Sequence, residues 1–474
     1  MTTTSTAAQP DRKTWLLLDP PSEEGFARRG LLREKSATAA TFPNIDLILL
    51  SGSIREAGYR PTYLDAQVRR WTWQRLCREA TNLGAGGVIS LISCQSEHDD
   101  LVRLGDLKRA MGGVALYTVA PISTVLDAQH CKTLMDEHPW LDGLILNTAE
   151  HNLTEVIRSP DAAGVNVALR RGDEVVVPKV TVNYEVGINM PMPEHAIFRD
   201  SRYYFPQSKR SPVTCVQMSF GCPFRCEFCL DNALYRKMRY RDVDQMVEEL
   251  AEVDQLGFRE VYFKDLTFGL NKSVTVEFLE KLAARNLRLC WLCSTRVDVT
   301  TPKLLRLMRR AGCYSIELGI ESGLRQRRQA NGKPISNGQI HTVLDNCRAL
   351  GIETTALVMI GFEDETEEEI RETMRFVNSS RADYAAYNVV NALPGTPLER
   401  RARKEGFLRD EPNDTRFVAS NLIHKHLTPR RLEELRAEAV QSFYRRPSTM
   451  LTRLARVKSA FELWKLVHLS RAAG

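Results

Sequence analysis

Along the first ~160 residues, short apolar runs alternate with stretches whose apolar positions recur at helical spacing. The runs Trp15–Asp19, Arg60–Asp65, Gly87–Ser93, Val114–Val119 and Leu141–Leu146 have the length and composition of strands. Strands alternating with helices predict an α/β fold built on a parallel, doubly wound, Rossmann-like sheet, assigned to residues 12–160. Ligands of such sheets sit at the carboxyl ends of the strands, where the loops gather. That rule singles out Pro21 and Ser22 after the first run, Ser93, Gln95 and Ser96 after the third, and Asn147 and Glu150 after the fifth.

Residues 161–204 lose the alternation and gain proline and glycine, which predicts a linker. From 205 to 406 the alternation returns more regularly. Strand-like segments are Val213–Ser219, Glu260–Lys264, Leu287–Ser294, Tyr314–Gly319, Thr354–Ile360 and Tyr384–Ala392, with amphipathic helical runs between them. Six βα units predict a partial or closed TIM-like (β/α)6 barrel whose chemistry sits at the carboxyl mouth. Residues 407–474 read as a helical C-terminal cap, with Pro429 opening one run, Arg430–Tyr444, and Pro447 separating a second, Met450–Leu469.

Composition narrows the setting. The 474 residues are 43% hydrophobic and 26% charged, which describes a soluble globular chain long enough for two or three domains. No apolar stretch reaches the ~18 residues of a membrane span, and Met1–Pro10 lacks the apolar core of a signal peptide, so a cytoplasmic protein with reduced thiols is expected. The net charge of +6 is concentrated at the end: residues 401–474 hold 16 Lys+Arg against 8 Asp+Glu, and the rest of the chain is nearly neutral. Scattered charge of this kind is a solvated face, and no aromatic-rich basic motif accompanies it to favour nucleic acid.

Eleven cysteines change the picture through their spacing. Cys222, Cys226 and Cys229 form C-x3-C-x2-C directly after the first strand of the barrel, a pattern expected by chance on the order of 0.006 times in such a chain. Structural zinc prefers four ligands in paired short spacings, and the nearest further thiol, Cys215, lies inside an apolar strand-like run. A disulfide framework does not suit a chain that can bury its own core. Three thiolates can instead hold three corners of a 4Fe-4S cluster and leave the fourth iron open.

The triplet, with Phe228 before its last cysteine, resembles the signature of the radical S-adenosylmethionine (SAM) enzymes. In that family the open iron chelates the methionine end of SAM, and the reduced cluster splits the cofactor to a 5′-deoxyadenosyl radical. The resemblance continues along the barrel. It implies that Phe228 sets its backbone against the adenine, that Arg296 in Ser294-Thr295-Arg296-Val297-Asp298 pairs with a carboxylate, and that Glu317 and Ser322 in Ile316–Gly323 touch the ribose and methionine end. It also implies that Gly361 in Met359–Thr366 belongs to an adenine-contacting turn, and that Asn391–Leu398 is the matching end of the sixth strand. Asp265 follows Lys264 where the group often has paired acids, which leaves its role open.

The doubly wound domain ahead of the barrel resembles the cobalamin-binding module of the cobalamin-dependent members. Pro21, Ser22, Ser93, Gln95, Ser96, Asn147 and Glu150 are then expected cobalamin contacts. The D-x-H-x-x-G signature of a lower-axial histidine is not found, and His98 and His130 read better as helix-facing or capping residues. Together these resemblances imply methylation of an unactivated carbon on a small-molecule intermediate, with cobalamin-dependent cyclisation or ring rearrangement as the alternative. They also imply an electron donor such as flavodoxin or ferredoxin. A methylthio-transferring enzyme would need a second cluster, but Cys77, Cys94 and Cys131 fall on separate elements. A non-catalytic corrinoid or iron–sulfur sensor would have no use for the barrel's set of cofactor handles. No single catalytic side chain is assigned.

Overall fold

In the computed structural model the chain is described over residues 13–21, 26–29, 32–35, 41–93, 97–121, 125, 127–159, 161–185, 187–230, 237–409, 419–447, 457, 459 and 462. It divides into two compact units, one comprising residues 1–33 and 43–202, the other residues 34–42 and 203–474. Among the described residues no helix is long and apolar enough to cross a membrane.

The first unit is built on β1 (Thr14–Asp19), β2 (Arg60–Asp65), β3 (Gly87–Leu91), β4 (Ala115–Val119), β5 (Gly143–Ile145), β6 (Val167–Arg171) and β7 (Glu174–Val176), hydrogen-bonded in the order β2-β1-β3-β4-β5-β6-β7. The first five strands run parallel, as expected from five apolar runs separated by helices. Helices cover both faces. Leu16, Leu18, Val88, Leu116 and Leu144 pack with α2 (Trp73–Leu83), α3 (Glu97–Ala110) and α4 (Ala128–Glu137), whereas α1 (Ile45–Glu56) and α5 (Leu153–Arg158) pack together elsewhere on the unit. The order reverses between β1 and β3, so the crevice of this sheet lies outside their carboxyl ends.

Of the expected linker, 161–204, residues 161–202 are instead part of this unit. Strands β6 and β7 form a hairpin turning at Gly172 (φ +59°), and β6 extends the sheet antiparallel to β5. The following segment lies on α1: Glu194 N–H donates to Ser51 Oγ (2.8 Å), Arg55 pairs with Glu194 (2.9 Å), and a Cβ on Gly52 would stand 2.7 Å from the carbonyls of Pro191 and Met192. Phe198 then meets Tyr63 at a centroid distance of 4.4 Å. Proline and glycine here shape a close-fitting surface layer and not a tether.

The second unit holds a six-stranded, wholly parallel sheet in sequential order: β8 (Val213–Val216), β11 (Glu260–Phe263), β12 (Cys290–Arg296), β13 (Cys313–Glu321), β14 (Glu353–Ile360) and β15 (Tyr384–Val389). β8 and β15 are its two edges, so the barrel is partial. A two-stranded pair, β9 (Ser219–Phe220) with β10 (Arg239–Tyr240), brackets the cysteine loop. Alternation along each strand separates two environments. Phe263, Trp291, Cys293, Ile316, Leu318, Ala356, Val358 and Tyr387 pack with the helices α6 (Val243–Gln255), α7 (Lys272–Ala284), α8 (Pro302–Arg310), α10 (Asn337–Ala349), α11 (Glu367–Ser379) and α13 (Pro429–Tyr444). The opposite set, including Tyr262, Ser294, Glu317 and Thr355, makes a polar interior.

The amino end of that interior is closed by the segment before β8. Lys209 N–H and Arg210 N–H donate to Glu260 (2.7 and 2.8 Å), Lys209 Nζ pairs with Glu353 (2.5 Å), and Tyr314 O–H donates to Glu260 (2.5 Å). The helices have strong local starts: α10 and α11 each begin with a capping box, Ser336 with Gln339 and Thr366 with Glu369. The helix expected at Arg430–Tyr444 is present as α13, and a further short helix, α12 (Pro397–Glu405), follows β15. The run expected at Met450–Leu469 falls almost entirely outside the described residues.

Candidate functional site

The cysteine loop leaves β9 through Gly221, whose φ of +90° is the left-handed region that glycine enters freely. Its root is braced by Asp265 at the end of β11. That carboxylate accepts from Met218 N–H (3.2 Å) and from the Ser219 hydroxyl, and burial pushes its pKa up to about 6. Cys222, Cys226 and Cys229 are each half-exposed, whereas Cys215, Cys293, Cys313 and Cys347 are buried in strands and helices. Cys215 is therefore committed to the barrel wall.

Three side chains from elsewhere in the unit stand near the loop. Thr267 Oγ1 stands 3.7 Å from Cys222 Sγ, and Arg296 Nη1 stands 3.7 Å from Cys226 Sγ. Lys333, from the turn after the short helix α9 (Arg325–Ala330), forms a buried pair with Glu321 (2.5 Å). Burial lifts the Cys226 thiol above its ordinary value, and the positive charges of Lys333 and Arg296 oppose that rise. Gly332 (φ +73°) lets the same turn press on the loop, since a Cβ there would lie 2.8 Å from the Arg225 carbonyl.

The strand end that carries Glu321 is distorted. A register shift separates Gly319 from Glu321, and Glu321 adopts φ +65°, unusual for a residue with a side chain. Gly319 leaves room for the ion pair; a Cβ there would stand 2.2 Å from Lys333 Nζ. Glu317, four residues deeper in the strand, is held inside the barrel by Tyr262 O–H (2.6 Å), Ser294 O–H (2.7 Å) and Gln207 Nε2 (3.1 Å). Ser322 is buried against Thr373 of α11 (3.1 Å) and caps the next turn through Leu324 N–H. Arg296 gives two of its nitrogens to Asp298.

On the other flank, Phe228 meets Phe362 at a centroid distance of 6.4 Å, within an apolar group that includes Ala392, Leu398 and Leu422. Gly361 (φ +84°) shapes this turn: its N–H donates to Glu365 (2.6 Å), and a Cβ would strike Leu432 of α13 at 2.6 Å. Burial pushes Glu365 up to about 7. Arg401 of α12 ties the loop down by pairing with Glu227 (2.6 Å) and with Glu363, while Leu398 N–H donates to the Glu227 carbonyl (3.0 Å). Glu321, Lys333, Thr267 and Arg401 escaped the sequence reading. Glu321 had a signal, because it stands in the same Ile316–Gly323 stretch.

At the first unit's carboxyl edge, Asn147 Oδ1 accepts from Ala149 and Glu150 N–H (3.0 and 3.2 Å), and Glu150 accepts from Asn183 N–H (3.2 Å). Ser93 N–H donates to Asp100 (3.4 Å), and Asp19 accepts from Gln67 Nε2 (2.7 Å). Pro21 ends the described part of its loop; Ser22, Gln95 and Ser96 lie outside the described residues. His130 is exposed and paired with Glu97 (3.2 Å).

The donor chemistry fits a cluster. Three half-exposed thiols share one loop at a strand's carboxyl end, beside two cations that offset the negative charge of thiolates.

Residues 216–377, from the last residue of β8 into α11, match the Radical SAM superfamily. An uncharacterized methyltransferase of Pyrococcus horikoshii is 28% identical over 55% of this chain and 57% of its own length. The anaerobic magnesium-protoporphyrin IX monomethyl ester cyclase of Cereibacter sphaeroides is 26% identical over 86% of this chain and 67% of its own. The hopanoid C-2 methylase of Rhodopseudomonas palustris is 29% identical over 49% of this chain and 44% of its own. The chain thus spans roughly half to two thirds of these curated relatives. Among solved structures, the radical SAM methyltransferase TsrM of Kitasatospora setae, with cobalamin and a [4Fe-4S] cluster bound, superposes with a TM-score of 0.64 at 14% identity, covering 97% of this chain and 99% of that one. The radical SAM match thus spans the cysteine loop and most of the six-stranded sheet, and the chain, with a Rossmann-like unit ahead of that sheet, shares the fold of the cobalamin-bound TsrM.

Proposed function

We propose that the protein is a cobalamin-dependent radical SAM enzyme that methylates an unactivated carbon of a small-molecule intermediate. The observation that carries this reading is the thiol triplet on a loop clamped by Asp265, Arg296 and Arg401, within a chain that has the fold of a cobalamin-bound methyltransferase along nearly its whole length. When bound, the cluster and SAM supply a carbon-centred radical, and the corrinoid supplies the methyl group.

The chain's own residues have separable tasks in this scheme. Cys222, Cys226 and Cys229 hold three irons as thiolates. Phe228, seated on the apolar group with Phe362 and Ala392, would set its backbone against the adenine, beside the turn that Gly361 shapes. The Glu321–Lys333 pair presents both charges beside the cluster loop, matching the amino and carboxylate groups of the methionine end. At the first unit's edge, the loops that carry Pro21, Ser93, Asn147 and Glu150 are the expected contacts for the corrin. A one-electron donor of the flavodoxin or ferredoxin type completes the system.

The test is anaerobic incubation of the reconstituted, reduced protein with SAM carrying a labelled methyl group. Formation of both 5′-deoxyadenosine and labelled methylcobalamin supports the reading; 5′-deoxyadenosine with no methyl transfer to cobalamin contradicts methylation. That second outcome favours cyclisation, a reading supported by the cyclase relative's alignment over 86% of the chain.

A further inference from the structure

Arg296 ends β12 with only 4% of its surface exposed, and every part of its guanidinium has a partner. Nε and Nη2 grip both oxygens of Asp298 (2.9 and 2.7 Å), and the plane lies over the Phe224 ring at 3.5 Å. Nη1 is left to approach Cys226 Sγ at 3.7 Å, within range of an N–H···S contact. Thr300 Oγ1, donating to the Arg296 carbonyl (2.7 Å), fixes the backbone beneath it. The two-pronged fork that would suit a substrate carboxylate is thus already filled by the protein itself.

We propose that Arg296 is a positioning residue that raises the reduction potential of the cluster through Cys226. Reduction adds one negative charge to the cluster and its thiolates, and hydrogen bonds to the sulfurs together with local charge set the potential of such centres. A buried guanidinium touching one ligand sulfur favours the reduced, more negative form. Asp298 tempers that effect, and it also prevents the guanidinium from turning away. Thr267, beside Cys222, is placed to add a weaker contact of the same kind.

The inference rests on reading the triplet as cluster ligands, so the wild-type protein is the first arm of the test. Each protein is reconstituted anaerobically with iron and sulfide, its iron is counted, and the cluster is titrated against potential by electron paramagnetic resonance without SAM. Arg296→Gln is expected to keep its iron and to show a reduced-to-oxidised ratio about tenfold lower at a given potential, equivalent to about 59 mV for one electron. Arg296→Lys, which keeps the charge, should fall between the two. Asp298→Asn should shift the ratio the opposite way, because it removes the tempering charge. Should Arg296→Gln fail to hold iron, the Lys and Asn variants carry the comparison by their opposite shifts. An unchanged ratio in Arg296→Gln with full iron, or shifts of the same sign at Arg296 and Asp298, overturns the inference. Wild-type protein that holds no iron overturns the underlying cluster reading instead.

Discussion

The two sheets obey one rule at their carboxyl edges and use different chemistry to do so. At the edge of the second unit, three thiols, a guanidinium, and a buried ammonium–carboxylate pair gather on loops held by further ion pairs. At the edge of the first unit, the described side chains are hydroxyls, an amide and carboxylates that already brace their own loops, as Asn147 does for Ala149 and Glu150 and Asp65 does for Val68 (2.9 Å). The contrast teaches what each ligand demands. A centre that gains and loses electrons needs compensating charge close by, whereas a large cofactor can be cradled by many weak contacts with backbone and small polar groups.

Variants that break one edge and spare the other sharpen this contrast. Alanine at Cys222, Cys226 or Cys229 should remove the cluster and all SAM cleavage while leaving cobalamin binding intact, measured as bound iron and as corrinoid absorbance. Lys333→Met leaves Glu321 buried without its partner and should cost roughly 3–5 kcal/mol of stability, read from denaturant unfolding. Asp265→Asn tests the brace through pH. The Asp265 pKa is raised by burial from 3.8 to about 6, so ionising it costs the folded state free energy that is absent below about pH 4 and fully present above about pH 6. That cost is on the order of 3 kcal/mol, and the stability difference between wild type and variant should change across this window and be flat outside it. Asn147→Ala removes one turn-forming acceptor and should cost about 1 kcal/mol while weakening cobalamin retention, with iron content unchanged.

Much of this architecture was legible because buried parallel strands must be written as apolar runs, and both sheets are mainly of that kind. The hairpin β6–β7 was not: its strands are short, its alternation spans few residues, and the surrounding prolines imitate a linker. The cysteine loop announced itself because cluster ligands are few and locally spaced. The charges beside it did not, for two physical reasons. Glu321 ends β13 after a register shift at Gly319 and a left-handed φ, so simple strand alternation does not foretell where its side chain goes. Lys333 arrives from a turn twelve residues further on, brought close by Gly332, and no local pattern marks it. Arg296 was visible as a cation near the site, yet its partner Asp298, two residues away, redirects it from an incoming carboxylate to Cys226.

If the protein is the enzyme proposed, one chain holds both cofactors. Anaerobic reconstitution with iron, sulfide and hydroxocobalamin, followed by desalting and counting of metals per chain, tests it most directly. The expected result is about four irons and about one cobalt per chain. Four irons without cobalt would contradict it, leaving a radical enzyme whose first unit binds something other than a corrinoid.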